Sequence, residues 1–219
     1  MEERCVYCGE QANTRDHVVP SSFFPKPKPD DLITVPSCYD CNNSYSDDEE
    51  YLRNILSIAD LELDGKSKDI WIQKVKRGIR RNNKLLKELS DSLKIRDAYY
   101  GDLYLGKRYT FKANMEKINR VIKKIIKGLF YHHYGRRLSK NYRVGIFEDE
   151  QVPEELFGLL EQLKTKEIGE GVFRYKHKLV TEDKNNSVWS LNFYKNNFVQ
   201  FICYTGNKKY AKDSKNQND

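Results

Sequence analysis

Four cysteines stand in two pairs of identical spacing, Cys5-x-x-Cys8 and Cys38-x-x-Cys41. Each pair brings two thiolates to one point, and together they complete a tetrahedral four-thiolate set of the kind that holds zinc at about 2.3 Å per Zn–S bond. Disulfides are the alternative. The stretch Met1-Glu2-Glu3-Arg4-Cys5 lacks the basic and apolar regions of a secretory signal. The expected compartment is therefore cytoplasmic, where paired cysteines hold metal more often than they cross-link. A closed four-thiolate set keeps no open coordination position, so this zinc is expected to be structural, folding a segment too small to hold a core alone. The fifth cysteine, Cys203, lies among Phe198, Val199, Phe201 and Ile202 and reads as a buried strand residue. Between the pairs lies Asp16-His17-Val18-Val19-Pro20, and Asn42 follows the last cysteine directly. Taken alone, His17 has the alternative of a buried structural histidine.

The elements that must position these residues follow from pattern. Phe23 to Asp31 contains three prolines and reads as a stiff extended loop. Leu32-Ile33-Thr34-Val35 reads as a short strand. Ser46-x-x-Glu49 matches a capping box. Leu52, Ile55, Leu56, Ala59 and Leu63 then recur at helical spacing, up to a stop at Gly65. Ile70 to Ile95 reads as one long or broken helix. Tyr99 to Phe111 reads as a strand pair. Met115 to Tyr134 is the clearest helix, with Ile118, Val121, Ile122, Ile125, Ile126, Leu129 and Phe130 on its buried face and Lys117, Arg120, Lys123, Lys124 and Lys127 on its wet one. Beyond it the pattern predicts a strand at 142–147, a helix from Pro153 to Leu163, and antiparallel strands at 172–181, 187–194 and 198–204. Turns are expected at Asn185-Asn186 and Asn196-Asn197. The expected class is α+β. It comprises a zinc-stapled unit over 1–60, a basic helical region over 61–143, an α+β region with antiparallel strands over 144–206, and a polar tail over 207–219.

Charge separates along this plan. The 219 residues carry 39 Lys+Arg against 32 Asp+Glu, net +7. Residues 1–50 hold 4 basic and 11 acidic side chains, net −7, whereas residues 66–96 hold 11 and 3 and residues 107–143 hold 12 and 1. An acidic head therefore precedes a strongly basic centre, which is a phosphate-binding footprint or, more plainly, a set of solvated helix faces. Aromatic residues make up 12% of the chain, which excludes a disordered polyelectrolyte. No apolar run reaches the roughly 20 residues a membrane helix needs.

Cys5-x2-Cys8, Asp16-His17-Val18-Val19-Pro20 and Cys38-x2-Cys41-Asn42 together resemble the zinc-containing HNH nucleases, whose ββα-metal core also appears in the endonuclease VII type of junction resolvase. The resemblance covers about residues 5–55. It implies a ββα-metal motif in which His17 is the general base, Asp16 binds a catalytic Mg²⁺ or Mn²⁺, and Asn42 is the second protein ligand. Asn43 takes that place if the helix begins one residue later. The position that usually holds Asn before a Leu of the second strand is Asp31 here, ahead of Leu32. Asp31 would then have to pin the His17 loop through its carboxylate. The chemistry is consistent with these roles, since Asp and Asn offer hard oxygens suited to Mg²⁺ or Mn²⁺ and a neutral His accepts a water proton at neutral pH.

These observations lead to a DNA endonuclease, with phosphates held by Arg77, Arg80, Arg81, Lys123, Lys124, Lys127, Arg136 and Arg137. A single ββα site cuts one strand, so a double-strand break would need a homodimer or two successive events. Two other functions fit parts of the sequence: a non-catalytic zinc-knuckle nucleic-acid binder, and an RNA-directed or toxin nuclease using the same site. Asp47, Asp48, Glu49 and Glu50 form an acidic cluster that suits a helix first turn better than a second metal.

Overall fold

The computed structural model describes residues 3–59, 87, 91, 94–110, 112–147, 152–180, 182–194 and 199–210. Arg77, Arg80, Arg81, most of the expected 70–95 helix, the 196–197 turn and the tail beyond 210 lie outside them. The fold is α+β. Strands β1 (Thr14–His17) and β2 (Thr34–Ser37) pair antiparallel, with Thr14 opposite Ser37 and His17 opposite Thr34. Two helices follow, α1 (Tyr39–Asn43) and α2 (Ser46–Ala59). A separate hairpin joins β3 (Lys94–Tyr100) to β4 (Leu103–Thr110). Helix α3 (Met115–Tyr134) then leads into β5 (Tyr142–Ile146), α4 (Glu154–Glu161), β6 (Lys166–Ile168), β7 (Phe173–Leu179), β8 (Ser187–Phe193) and β9 (Gln200–Asn207). These five strands form one antiparallel sheet in the order β5-β9-β8-β7-β6.

Helix α3 is the hub. All seven residues of its expected apolar face are buried. Each large side chain taken out of water on such a face contributes about 1.5–3 kcal/mol. Asn114 caps its start by accepting from the Lys117 N–H at 3.3 Å, and Gly135 ends it in the left-handed region at φ 64°. Midway, Gly128 lets the chain just after β1 come close: a Cβ at that position would lie 2.8 Å from a Val18 methyl. The sheet shows strict two-residue alternation. Trp189, Leu191, Phe193, Phe201 and Cys203 join the main core with α3, while Val188 and Ile202 face a smaller cluster with Leu160 of α4. Cys203 is fully buried, as its apolar neighbours require. The main core runs without interruption from Cys5 to Cys203, so α3 is covered by the cysteine-rich unit on one side and the sheet on the other.

Several boundaries differ from the pattern. Strand β2 begins two residues later than expected, at Thr34, although the Ile33 carbonyl still accepts from the Val18 N–H at 3.0 Å, one step beyond the last paired residues. Residues 94 and 95 belong to a strand rather than to the end of a helix. Strand β6 carries too short an apolar signal to be read locally. Among the described residues, no helix is long and apolar enough to cross a membrane.

Candidate metal centre and its surroundings

The first cysteine pair sits in a tight turn, in which the Cys5 N–H donates to the Glu10 carbonyl at 2.8 Å and the Gly9 N–H to the Cys5 carbonyl at 3.0 Å. The Val6 N–H donates to the Pro36 carbonyl at 3.0 Å, anchoring this turn on β2. The second pair starts α1, where the Cys38 sulfur caps the helix by accepting from the Cys41 N–H at 3.4 Å. As a result the four sulfurs lie within 4.8 Å of one another, and those of Cys8 and Cys38 are 3.7 Å apart. That is a set able to hold a zinc ion. Burial alone would raise the Cys5 thiol, but hydrogen bonding with the backbone of Cys8, Cys38 and Tyr7 outweighs it and brings the pKa down to about 6. Burial pushes the Cys8 and Cys41 thiols up, and for Cys41 the neighbouring cysteine sulfurs add to it. Four thiols crowded in this way gain most by sharing a divalent cation.

Adjacent side chains of a strand point to opposite faces, so Asp16 and His17 part company. Asp16 faces inward and is 6% exposed. Its Oδ2 accepts from the Tyr7 hydroxyl at 2.8 Å and from Lys124 Nζ at 2.8 Å. The same ammonium donates to Glu49 Oε1 at 2.5 Å and lies 5.8 and 5.5 Å from the Tyr7 and Tyr45 ring centres. Burial raises the Tyr7 phenol, reinforced by the Asp16 charge. Burial also raises Glu49, with Lys124 opposing it. Lys124 is therefore a correction to the sequence reading. It is 1% exposed and holds two carboxylates instead of facing a phosphate from the wet side of α3.

His17 is half-buried at the end of β1, on the side of Arg15, whose guanidinium donates to the Thr34 hydroxyl and carbonyl at 3.1 Å each. Asn42 reaches β1 from α1, and its amide nitrogen donates to the Thr14 hydroxyl at 3.2 Å and the Arg15 carbonyl at 3.3 Å. Asn43 instead donates to the Tyr39 carbonyl one turn back at 2.8 Å, so of the two asparagines Asn42 is the one against β1. Asp31 does not tie down the His17 loop. Its two carboxylate oxygens accept from the Gly169 N–H at 3.1 and 3.0 Å, linking the proline loop to the C-terminal sheet. The capping box does not form either. Ser46 donates back to the Asn43 carbonyl, and Glu49 turns to Lys124. Asp48 pairs with Arg120 at 2.6 Å and Glu50 with Arg53 at 3.4 Å, so three carboxylates of the acidic cluster are matched by side-chain cations.

The remaining basic residues divide. Lys123 is exposed and Lys127 half-buried, and burial together with Lys208, Lys123 and Arg137 lowers the Lys127 pKa against the pull of Cys41. Arg136 donates to the Asn185 amide oxygen at 2.7 Å and to the Lys184 carbonyl, and sits 5.1 Å from the Phe130 ring centre. Arg137 donates to the Val6 carbonyl at 3.4 Å, fastening the end of α3 to the first cysteine turn. His133 stacks on His177 at 4.0 Å, and His177 on Trp189 at 4.8 Å. Tyr175 and Tyr134 hydroxyls bond the two imidazoles at 3.0 and 2.9 Å. Sequence reasoning missed Tyr7, Glu49 and this stack. Lys124 recurs at helical spacing with Lys117, Arg120 and Lys127, so nothing local set it apart from the wet face.

Compared with protein-family models, with curated proteins and with solved structures, the chain matches none.

Proposed function

We propose that the chain is a metal-dependent endonuclease of the HNH type that hydrolyses phosphodiester bonds in DNA, with its zinc held by Cys5, Cys8, Cys38 and Cys41. The observation that carries this reading is the grip of Asn42 on the Arg15 carbonyl, one residue before Asp16-His17. It sets Asn42 against β1, the strand that carries Asp16 and His17, next to the cysteine cluster. In this reading His17, half-buried at a strand end, takes the proton from the attacking water. The donor set suits Mg²⁺ or Mn²⁺, because the Oδ1 atoms of Asp16 and Asn42 are hard oxygens that carry no hydrogen bond among the described residues, while Oδ2 of Asp16 is held by Tyr7 and Lys124. A cation held there would supply charge stabilisation to the departing 3′ oxygen. Tyr7 and Lys124 are then positioning residues that fix the Asp16 carboxylate.

A second reading, a non-catalytic zinc-knuckle nucleic-acid binder, is favoured by one observation: the Asp16 charge is already balanced by a buried ammonium. The deciding experiment incubates wild type and His17→Ala with supercoiled plasmid, branched DNA and RNA, in EDTA and in Mg²⁺ or Mn²⁺. The expected result is metal-dependent DNA cleavage by wild type and none by His17→Ala, at equal zinc content. Cleavage by His17→Ala at the wild-type rate would sink the mechanism, and binding without cleavage by wild type would favour the second reading.

A further inference from the structure

Two cavities adjoin between α3, β5, β9 and the first cysteine turn. Their volumes are about 490 and 300 Å³, and they share Lys127, Tyr142 and Lys208. They form one trough. Six cations line it: Lys123, Lys127, Arg137, Lys140, Arg143 and Lys208. Among the described residues, no carboxylate lines either cavity. Like charges converging on a concave surface lower the cost of bringing in a polyanion.

The larger cavity has two features that free phosphate would not use. The Tyr204 ring packs against Phe147 at 4.9 Å between ring centres and lies across β5, so close that a Cβ at Gly145 would come within 2.2 Å of it, which leaves the part that lines the cavity for a base. Only glycine leaves room for that aromatic floor. Beside it, Oδ1 of Asn119 is buried without a hydrogen-bond partner among the described residues. A buried orphan acceptor is destabilising unless an N–H or O–H donor arrives. Cations for phosphates, a ring for stacking and an acceptor for a base or sugar donor are together the recognition set for an unstacked nucleotide. A volume of this order takes a small ligand and is far too narrow for a duplex.

We propose that this trough binds a single nucleic-acid strand, its phosphates on the six cations and one unstacked nucleotide on Tyr204 and Asn119. The smaller cavity is lined by Val6, Tyr7 and Cys8, and Tyr7 donates to Asp16, so the strand ends at the element bearing the proposed site. That last step rests on the nuclease reading, whereas the binding itself does not.

The test measures fluorescence anisotropy of labelled single-stranded oligonucleotide and of a hairpin duplex of equal length across a salt series. Wild type is expected to prefer the single strand. The Lys127→Gln/Lys208→Gln variant should weaken binding and flatten the log–log salt slope by about 1.4, since each phosphate contact on a single strand contributes about 0.7. Asn119→Ala and Tyr204→Leu should each weaken binding about tenfold with the slope unchanged. Lys164→Gln/Lys178→Gln, the same charge change at exposed positions outside the trough, should match wild type. Equal affinity for the duplex, or a trough lysine variant that behaves like the control pair, overturns the proposal. The lysines have no core role, so their variant remains informative if Asn119→Ala fails to fold. Failures of the two readings separate cleanly: binding through the trough without cleavage defeats only the nuclease, and cleavage unaffected by the trough variants defeats only the trough.

Discussion

Replacing Lys124 by methionine keeps the aliphatic stem and removes the ammonium. In the native protein that ammonium is 2.8 Å from Asp16 and 2.5 Å from Glu49, with side-chain exposures of 1%, 7% and 16% for the three groups. Breaking a buried pair by deleting one partner costs about 3–5 kcal/mol, because the surviving charge stays out of water. Here two carboxylates survive side by side, although the greater exposure of Glu49 softens its share. The expected loss is therefore about 3–5 kcal/mol at neutral pH, a substantial part of an ordinary domain's stability. The pH dependence identifies the cause. Burial already raises Glu49, and Lys124 is the main influence holding it down. Without Lys124 the folded-state pKa rises further above the unfolded value, so the folded state binds the proton more tightly. Stability lost at neutral pH should then return as the pH falls toward the raised pKa. The assay is urea unfolding at fixed excess zinc, followed by the fluorescence of buried Trp189. Adding Asp16→Asn and Glu49→Gln should restore most of the deficit. A loss under about 1 kcal/mol, or a deficit that ignores both pH and the neutralised partners, would refute the buried charge triad.

Two further outcomes can be measured directly. Cys38→Ser should lower zinc content below one per chain by metal analysis and reduce the melting temperature, because it removes both a ligand and the sulfur that caps α1, whereas Cys203→Ala should keep its zinc. The His133–His177 stack should make the fold acid-sensitive. Burial lowers these imidazoles from 6.5 to about 3 and about 4, so the unfolded chain takes up protons first and stability is lost as pH falls below about 6.5. His177→Phe should flatten the melting-temperature profile between neutral and mildly acid pH.

What could be read from the sequence was what neighbouring residues decide among themselves. Helix α3 was legible from end to end, since Asn114, Gly135 and seven apolar residues at helical spacing fix its limits and its buried face locally. The four-cysteine cluster was legible too, because two Cys-x-x-Cys pairs carry their chemistry in their spacing. Strands β7, β8 and β9 were legible as apolar and aromatic runs, whereas the three-residue β6 was not. Tertiary structure decided the rest, and in each case the deciding partner is distant in sequence. Lys124 looked like a wet-face cation until α2 and β1 brought Glu49 and Asp16 to it. Asp31 looked like a pin for the His17 loop until the sheet presented the Gly169 N–H. Lys140, Arg143 and Lys208 became one surface with α3 only once β5 and β9 paired beside it. Helical period fixes which face a residue is on, but a charge on that face is settled by the nearest opposite charge, and the folded chain alone brings the two together.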